Sequence, residues 1–333
     1  MDCRRNMKTT KNPAGRKNMR IIRFLFLISH SSFLIFFFLS CQSVPKTPDP
    51  FINQVSSIPL ESGAYAYALI DVDGSRPVLD LLPMQGIDKK QVRLILDRTD
   101  SMAVALYSPD SERRFQIAAW GSVAPSQGRL IFGASKDWKK EKCPLRHTYW
   151  NSKTGNISVA IGMRQAYAAQ SAGSAPPVPC THSSGTELPE GFSNFSRGSV
   201  MSCWIENPGA AVNKIFSELN VPVTLPAEYL YLCLFPAADT EAANSGGLYE
   251  MSVRIQTPGA TQARSLVRII SLARLFSGGF SSAGILQPVL EFFFSADPVQ
   301  DDKYIIIKTT PVSSRDIALL IEAISVYSKT GNQ

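Results

Sequence analysis

The sequence predicts an α+β protein built of two similar tandem domains, each an antiparallel sheet covered by helices. Three observations point there. Short apolar runs of strand length alternate with longer stretches whose apolar residues recur at helical spacing. A stretch rich in Ser, Gly, Ala and Pro at 171–187, with Pro176, Pro177 and Pro179, divides the chain. On either side of it the same order recurs: strand, helix, hairpin, helix, hairpin.

The first domain, 63–187, opens with the apolar run Tyr65–Val72 as a strand. Asp71-Val-Asp-Gly74 reads as the turn that ends it, since glycine tolerates positive φ and Asp bonds its own backbone. Pro77–Leu82 follows as a short helix or a second strand. Asp88 and Gln91 are spaced as a capping box ahead of the stripe Val92, Ile95 and Leu96. Met102–Tyr107 and Phe115–Trp120 form a hairpin across Ser108-Pro-Asp-Ser-Glu112. A helix is expected near Ser126–Ala134. Thr148–Asn151, Ile157–Ile161 and Ala166–Gln170 read as three more strands.

In the second domain, 188–333, Val200–Ile205 is the first strand. Asn207 caps a helix with Pro208 at its first position, and Ala211, Val212, Ile215, Phe216 and Leu219 share one face. Tyr229–Phe235 and Tyr249–Ile255 pair. A long helix spans about 259–276. Val289–Ser295 is expected to pair with Tyr304–Lys308. Ser313 and Asp316 cap the last helix, which buries Ile317, Leu320, Ile321 and Ile324. Ile70-Asp-Val-Asp-Gly74 matches Ile205-Glu-Asn-Pro-Gly209 at an offset of 135 positions, and the later elements follow in the same order. The shared order implies a diverged duplication, with a binding surface expected where the halves meet.

The net charge of +7 belongs to the leader. Residues 1–40 hold eight Lys/Arg and one Asp, and the rest of the chain has 26 basic and 26 acidic residues. A neutral body gives no support for nucleic-acid binding. Residues 24–39 are almost wholly apolar, preceded by Arg4, Arg5, Lys8, Lys11, Arg16, Lys17, Arg20 and Arg23. That is the layout of a secretory signal, and Met19 would start a more compact one. The apolar run, at about 16 residues, is short for a permanent span. Residues 41–62, with Pro45, Pro48, Pro50 and Pro59 among Ser, Thr and Gln, read as a tether.

Phe38-Leu-Ser-Cys41 resembles the lipobox of bacterial lipoproteins, with Phe38 where Leu is usual, as in the looser spirochaete-type pattern. The resemblance covers about residues 19–42. It implies cleavage after Ser40, lipid on Cys41, and a membrane-anchored protein on the periplasmic face or cell surface. Gln42 is compatible with the outer membrane under the lipoprotein sorting rule.

Exported proteins meet conditions where disulfides persist, and four cysteines remain in the body: Cys143, Cys180, Cys203 and Cys233. Cys143 and Cys180 lie in polar, loop-like segments and form the expected disulfide. Cys203 and Cys233 lie in apolar strands and read as buried thiols. Asp71-x-Asp73-Gly74 after an apolar strand resembles the first motif of haloacid-dehalogenase-type phosphatases. The resemblance implies Asp71 as nucleophile, Asp73 as acid/base and magnesium beside them. The family's late acidic motif is missing, since Asp301-Asp302 reads as a hairpin turn. Only His147 and His182 lie in the body, with no H-E-x-x-H, G-x-S-x-G or phosphate loop. No cofactor or metal is expected. Lys136, Lys139, Lys140 and Lys142 around Trp138 read as a basic loop, and Arg264, Arg268 and Arg274 as the outer face of the long helix. Both could meet an anionic envelope component or remain solvated faces. The sequence favours a non-enzymatic binding, scaffolding or assembly role. The alternative is a lipid-anchored hydrolase using Asp71 and Asp73.

Overall fold

The structure, a computed structural model, describes residues 57–82, 93, 96–108, 111–122, 126, 132–133, 136–142, 148–153, 156–162, 164–171, 185–209, 213, 226–237, 247–275 and 296–330. A two-stranded ribbon forms where β1 (Ser57–Ile58) pairs with β9 (Thr186–Glu187). The other strands form one sheet: β2 (Ala66–Asp71), β3 (Thr99–Leu106), β4 (Arg113–Gly121), β5 (Trp138–Lys142), β6 (Thr148–Ser152), β7 (Ile157–Ile161), β8 (Gln165–Ser171), β10 (Met201–Glu206), β11 (Tyr229–Pro236), β12 (Leu248–Gln256), β13 (Val299–Asp301), β14 (Tyr304–Lys308) and β15 (Val312–Ser313). From edge to edge the order is β13-β14-β12-β11-β10-β2-β3-β4-β8-β7-β6-β5, and β15 pairs with β12. Every pairing is antiparallel. The helices among the described residues are α1 (Val72–Leu79), α2 (Phe192–Phe195), α3 (Ala260–Leu275) and α4 (Ser314–Thr330). The expected α+β class holds, as a mostly antiparallel sheet with few helices.

The two separate sheets expected from the sequence are one. β10 lies beside β2, in register from Met201↔Ile70 to Ile205↔Ala66. An unpaired edge strand exposes a row of backbone donors and acceptors, and joining the two first strands removes both edges. Outward from this seam the strands run β2-β3-β4-β8-β7 on one side and β10-β11-β12-β14-β13 on the other.

Three local expectations change. Asp71 does not end the strand in a turn. Its carboxylate accepts from Gly74 N at 3.3 Å, and Ser75 Oγ donates to Asp71 O at 2.5 Å, so α1 starts at once and carries Pro77 within it. Asx capping suits a helix start as well as a turn, and burial of Val72, Ser75, Val78 and Leu79 decides for the helix. Trp138–Lys142 is not a loop but β5, the outer strand of the sheet. Lysines there keep an open edge soluble. β14 pairs with β12 and with β13; Asp301 ends β13, Asp302 turns with φ 51°, and Val289–Ser295 lies outside the described residues. The helix from Asp88 is described only at Arg93 and Leu96, and that near Ser126–Ala134 only at 126 and 132–133; these residues are helical.

The sheet is covered on both faces. On one face, α3 and α4 pack Ala263, Leu266, Ile317 and Leu320 on Met251, Val253, Ile255, Ile305 and Ile307. Ser313 Oγ accepts from Asp316 N at 3.2 Å, which caps α4 as the sequence indicates. Farther along that face, Phe132 packs on Trp150, Val159 and Ile161. The other face carries a strap made of the ribbon and α2. Ile58, Leu60 and Phe192 pack there on Tyr67, Leu69, Trp204 and Tyr231. Tyr67 and Trp204 stack at 4.7 Å, and Phe192 lies 4.8 Å from Trp204. The end of the segment read as tether is thus built into the strap, because Ile58 and Leu60 give it apolar side chains to bury.

Candidate functional site

β2, β3, β4, β10 and β11 bury alternate residues fully toward the strap. Tyr67, Leu69, Ala103, Ala105, Ala118, Trp204 and Tyr231 retain 2% exposure or less. Their in-between neighbours face the helix side, and these are apolar as well. In register across the seam, Ile117 neighbours Val104, Val104 neighbours Ala68, and Ala68 neighbours Cys203. All four are half-buried, and among the described residues none belongs to a packed core cluster. The row is bounded by Ala168, which packs with the Phe132 cluster, and by Leu232, which packs with the α3–α4 core. Leu106, Ala66 and Ile205 make a second half-buried row beside it.

The result is an apolar floor centred on the seam between the halves. Cys203 shows its character. The residue keeps accessible surface, yet burial raises its thiol pKa to about 11, opposed only by a backbone hydrogen bond at Leu232. Such a thiol is no nucleophile at neutral pH, because the reactive thiolate is scarce. Cys233 faces the strap side opposite Ser202, is fully buried, and is held up further by burial. Cys203 and Cys233 are both free thiols, on opposite faces; Cys233 is buried as expected, and Cys203 is half-buried.

The strap side is closed by polar chemistry. The Glu61 carboxylate takes both Arg113 Nε and Nη2. Glu61 N donates to Gln116 Oε1 at 2.8 Å, and Tyr107 OH donates toward Glu61 O and Gln116 Oε1, each at 2.8 Å. Thr186 Oγ1 donates to Leu60 O at 2.8 Å. Burial drives the Tyr107 phenol well above its usual pKa. The helix-side floor of the same strands carries apolar residues that are half-buried.

The residues singled out in the sequence are distributed as follows. Asp71 is the cap of α1, and Asp73 is exposed in its first turn. Among the described residues, no group of three or more His, Cys, Asp or Glu is arranged to hold a metal. Lys139 pairs with Glu141 at 3.0 Å on the edge strand, and Arg264 and Arg268 are exposed on α3. Cys41, Cys143, Cys180, His147 and His182 lie outside the described residues. Sequence reasoning missed the floor. The signal was present: Ala66-Tyr-Ala-Leu-Ile70 is apolar at both parities, more than one covered face requires.

No protein-family model matches the chain, and no curated protein matches it. The fold is similar to that of TP0453 from the spirochaete Treponema pallidum, solved in several crystal forms. Crystal form III aligns with a TM-score of 0.52 at 18% identity, over 82% of this chain and 99% of that one. Form I gives 0.51 at 18% identity over 82% and 100%, and form IV gives 0.51 at 20% over 82% and 99%. At this identity the likeness is one of fold.

Proposed function

We propose that the chain is a lipid-anchored cell-envelope protein that binds an apolar ligand or segment on the floor at its seam, without catalysis. The observation that carries the reading is the half-buried row Ile117, Val104, Ala68 and Cys203, apolar and outside the core clusters of the described residues. Such surface costs free energy in water, at about 25 cal/mol per Å², and covering it is a driving force for binding. The leader and Cys41 support a place at a membrane, where apolar molecules are abundant. Asp71 in a capping role fits the non-enzymatic reading better than the hydrolase reading.

The seam also supports the duplication, with halves 63–187 and 188–333. β2 and β10 alternate buried and half-buried positions identically at the offset of 135. With β5 and β6 set aside, the strand order outward from the seam corresponds on both sides: three strands in sequence, then a hairpin entered by its later strand. Gly74 and Gly209 each lie three residues beyond their strand's end. A two-fold relation through the Ala68–Cys203 pair accounts for all three.

Protein extracted in detergent from its native envelope tests the reading. It should be acylated at Cys41 and carry an apolar molecule or segment in stoichiometric amount, and Cys41→Ala should give an uncleaved, unacylated precursor. Unmodified wild-type protein in the soluble fraction contradicts the anchor. Anchored protein that carries nothing contradicts the binding role.

A further inference from the structure

On the strap face, away from the floor, Arg254 stands without an acid among the described residues. Arg254 projects from β12 between its cross-strand neighbours Tyr231 and Ile306. Its guanidinium carbon lies 3.7 Å from the Tyr304 ring centroid and 5.6 Å from that of Phe195. It makes no hydrogen bond or ion pair among the described residues, and its Nε is buried without a partner. Stacking engages the faces of the guanidinium and leaves its in-plane donors unused. Lys303 Nζ lies 5.5 Å from the same Tyr304 ring, also without an ion pair among the described residues. The nearby acids do not close on this pair. Glu228 accepts from Gln256 Nε2 at 3.0 Å, and Asp301 and Asp302 are exposed on the β13–β14 turn.

The neighbouring row has a matching chemistry. Tyr229, Gln256 and Tyr304 are cross-strand neighbours, and Tyr229 and Tyr304 are half-buried. Tyr229 stacks parallel to Tyr231 at 5.8 Å. Gln256 is buried and satisfied, its Oε1 accepting from Tyr231 OH at 3.2 Å, so the half-buried Tyr229 offers the surface for the C–H face of a sugar ring. A guanidinium edge suits a planar or tetrahedral oxyanion. We propose that Arg254, with Lys303 beside it, forms a subsite for the phosphate or carboxylate of a soluble acidic saccharide whose ring lies along Tyr229. This subsite is on the other face of the sheet from the floor and does not depend on it.

Calorimetric titration of the full chain tests it with glucose 6-phosphate, glucuronate, neutral glucose and phosphatidylglycerol vesicles. Both acidic sugars should bind and glucose should not. Arg254→Gln should weaken both by about tenfold or more, and Arg254→Lys should fall between, because an ammonium keeps the charge without the fork. Lys303→Gln should weaken them less. Should Arg254→Gln fail to fold, Arg254→Lys and Lys303→Gln carry the test. No binding of either acidic sugar overturns the proposal. So does binding that these variants leave unchanged, or binding confined to vesicles.

Discussion

Gly74 links the two halves through one missing methyl group. A Cβ built there would sit 2.4 Å from Val200 Cγ1 and 3.0 Å from Asp71 Oδ2. Val200 is β-branched and stiff at χ1, so it cannot swing aside cheaply. Tyr249 OH also donates to Gly74 O at 2.9 Å, across 175 residues of sequence. Gly74→Ala should therefore destabilise the protein despite alanine's better helix propensity. Propensity offers about 1 kcal/mol and the overpacking costs about 1–3 kcal/mol, so a net loss of up to about 2 kcal/mol is expected. Urea unfolding checks it, and an unchanged or raised midpoint would show that the Val200 contact relaxes. The sequence marked Gly74 as special, but for the wrong reason. A turn glycine needs positive φ, whereas this one needs room, and only the packing of Val200 reveals that.

At the scale of elements, the strap covers one face of the central strands, opposite the proposed floor. Its lock is the bidentate Arg113–Glu61 pair, with side-chain exposures of 13% and 23%. Arg113→Ala would leave the Glu61 carboxylate half-buried beside Tyr107 without its counter-ion. The expected loss is about 1–3 kcal/mol. Hydrogen exchange should rise first in β1 and β9, where the ribbon has only two residues per strand. Uniform exchange across the sheet would mean that the strap is no separate unit. Strands and helices with strong periodicity, such as β2–β4, β10–β12, α3 and α4, were legible in the sequence. β5 and α1 were not. Trp138–Lys142 is mostly Lys and Glu, so its strand state comes from pairing with β6 and not from propensity. α1 contains Gly74 and Pro77, both poor helix residues, and is held by its cap and its buried side.

At the scale of the whole molecule, the α+β class was legible but the joining of β2 to β10 in one sheet was not. Alternation says which residues share a face and not which strand lies across a seam. The Pro-rich stretch at 171–187 suggested separation, yet Thr186 and Glu187 at its end pair with Ser57 and Ile58 in the strap. The floor follows from that joining, because only the β2–β10 contact brings Ala68, Val104 and Ile117 beside Cys203. The account therefore stands or falls on whether this floor takes an apolar ligand. The most direct measurement is titration of the purified chain with the neutral fluorescent probe 1-N-phenylnaphthylamine, alongside Val104→Asp and a control, Glu250→Gln, on an exposed site of the strap side. Wild type and the control should bind the probe saturably at about one per chain. Val104→Asp should weaken it by about tenfold or more, since a carboxylate on the floor resists desolvation. No saturable binding by wild type, or binding that a folded Val104→Asp leaves unchanged, would contradict the account.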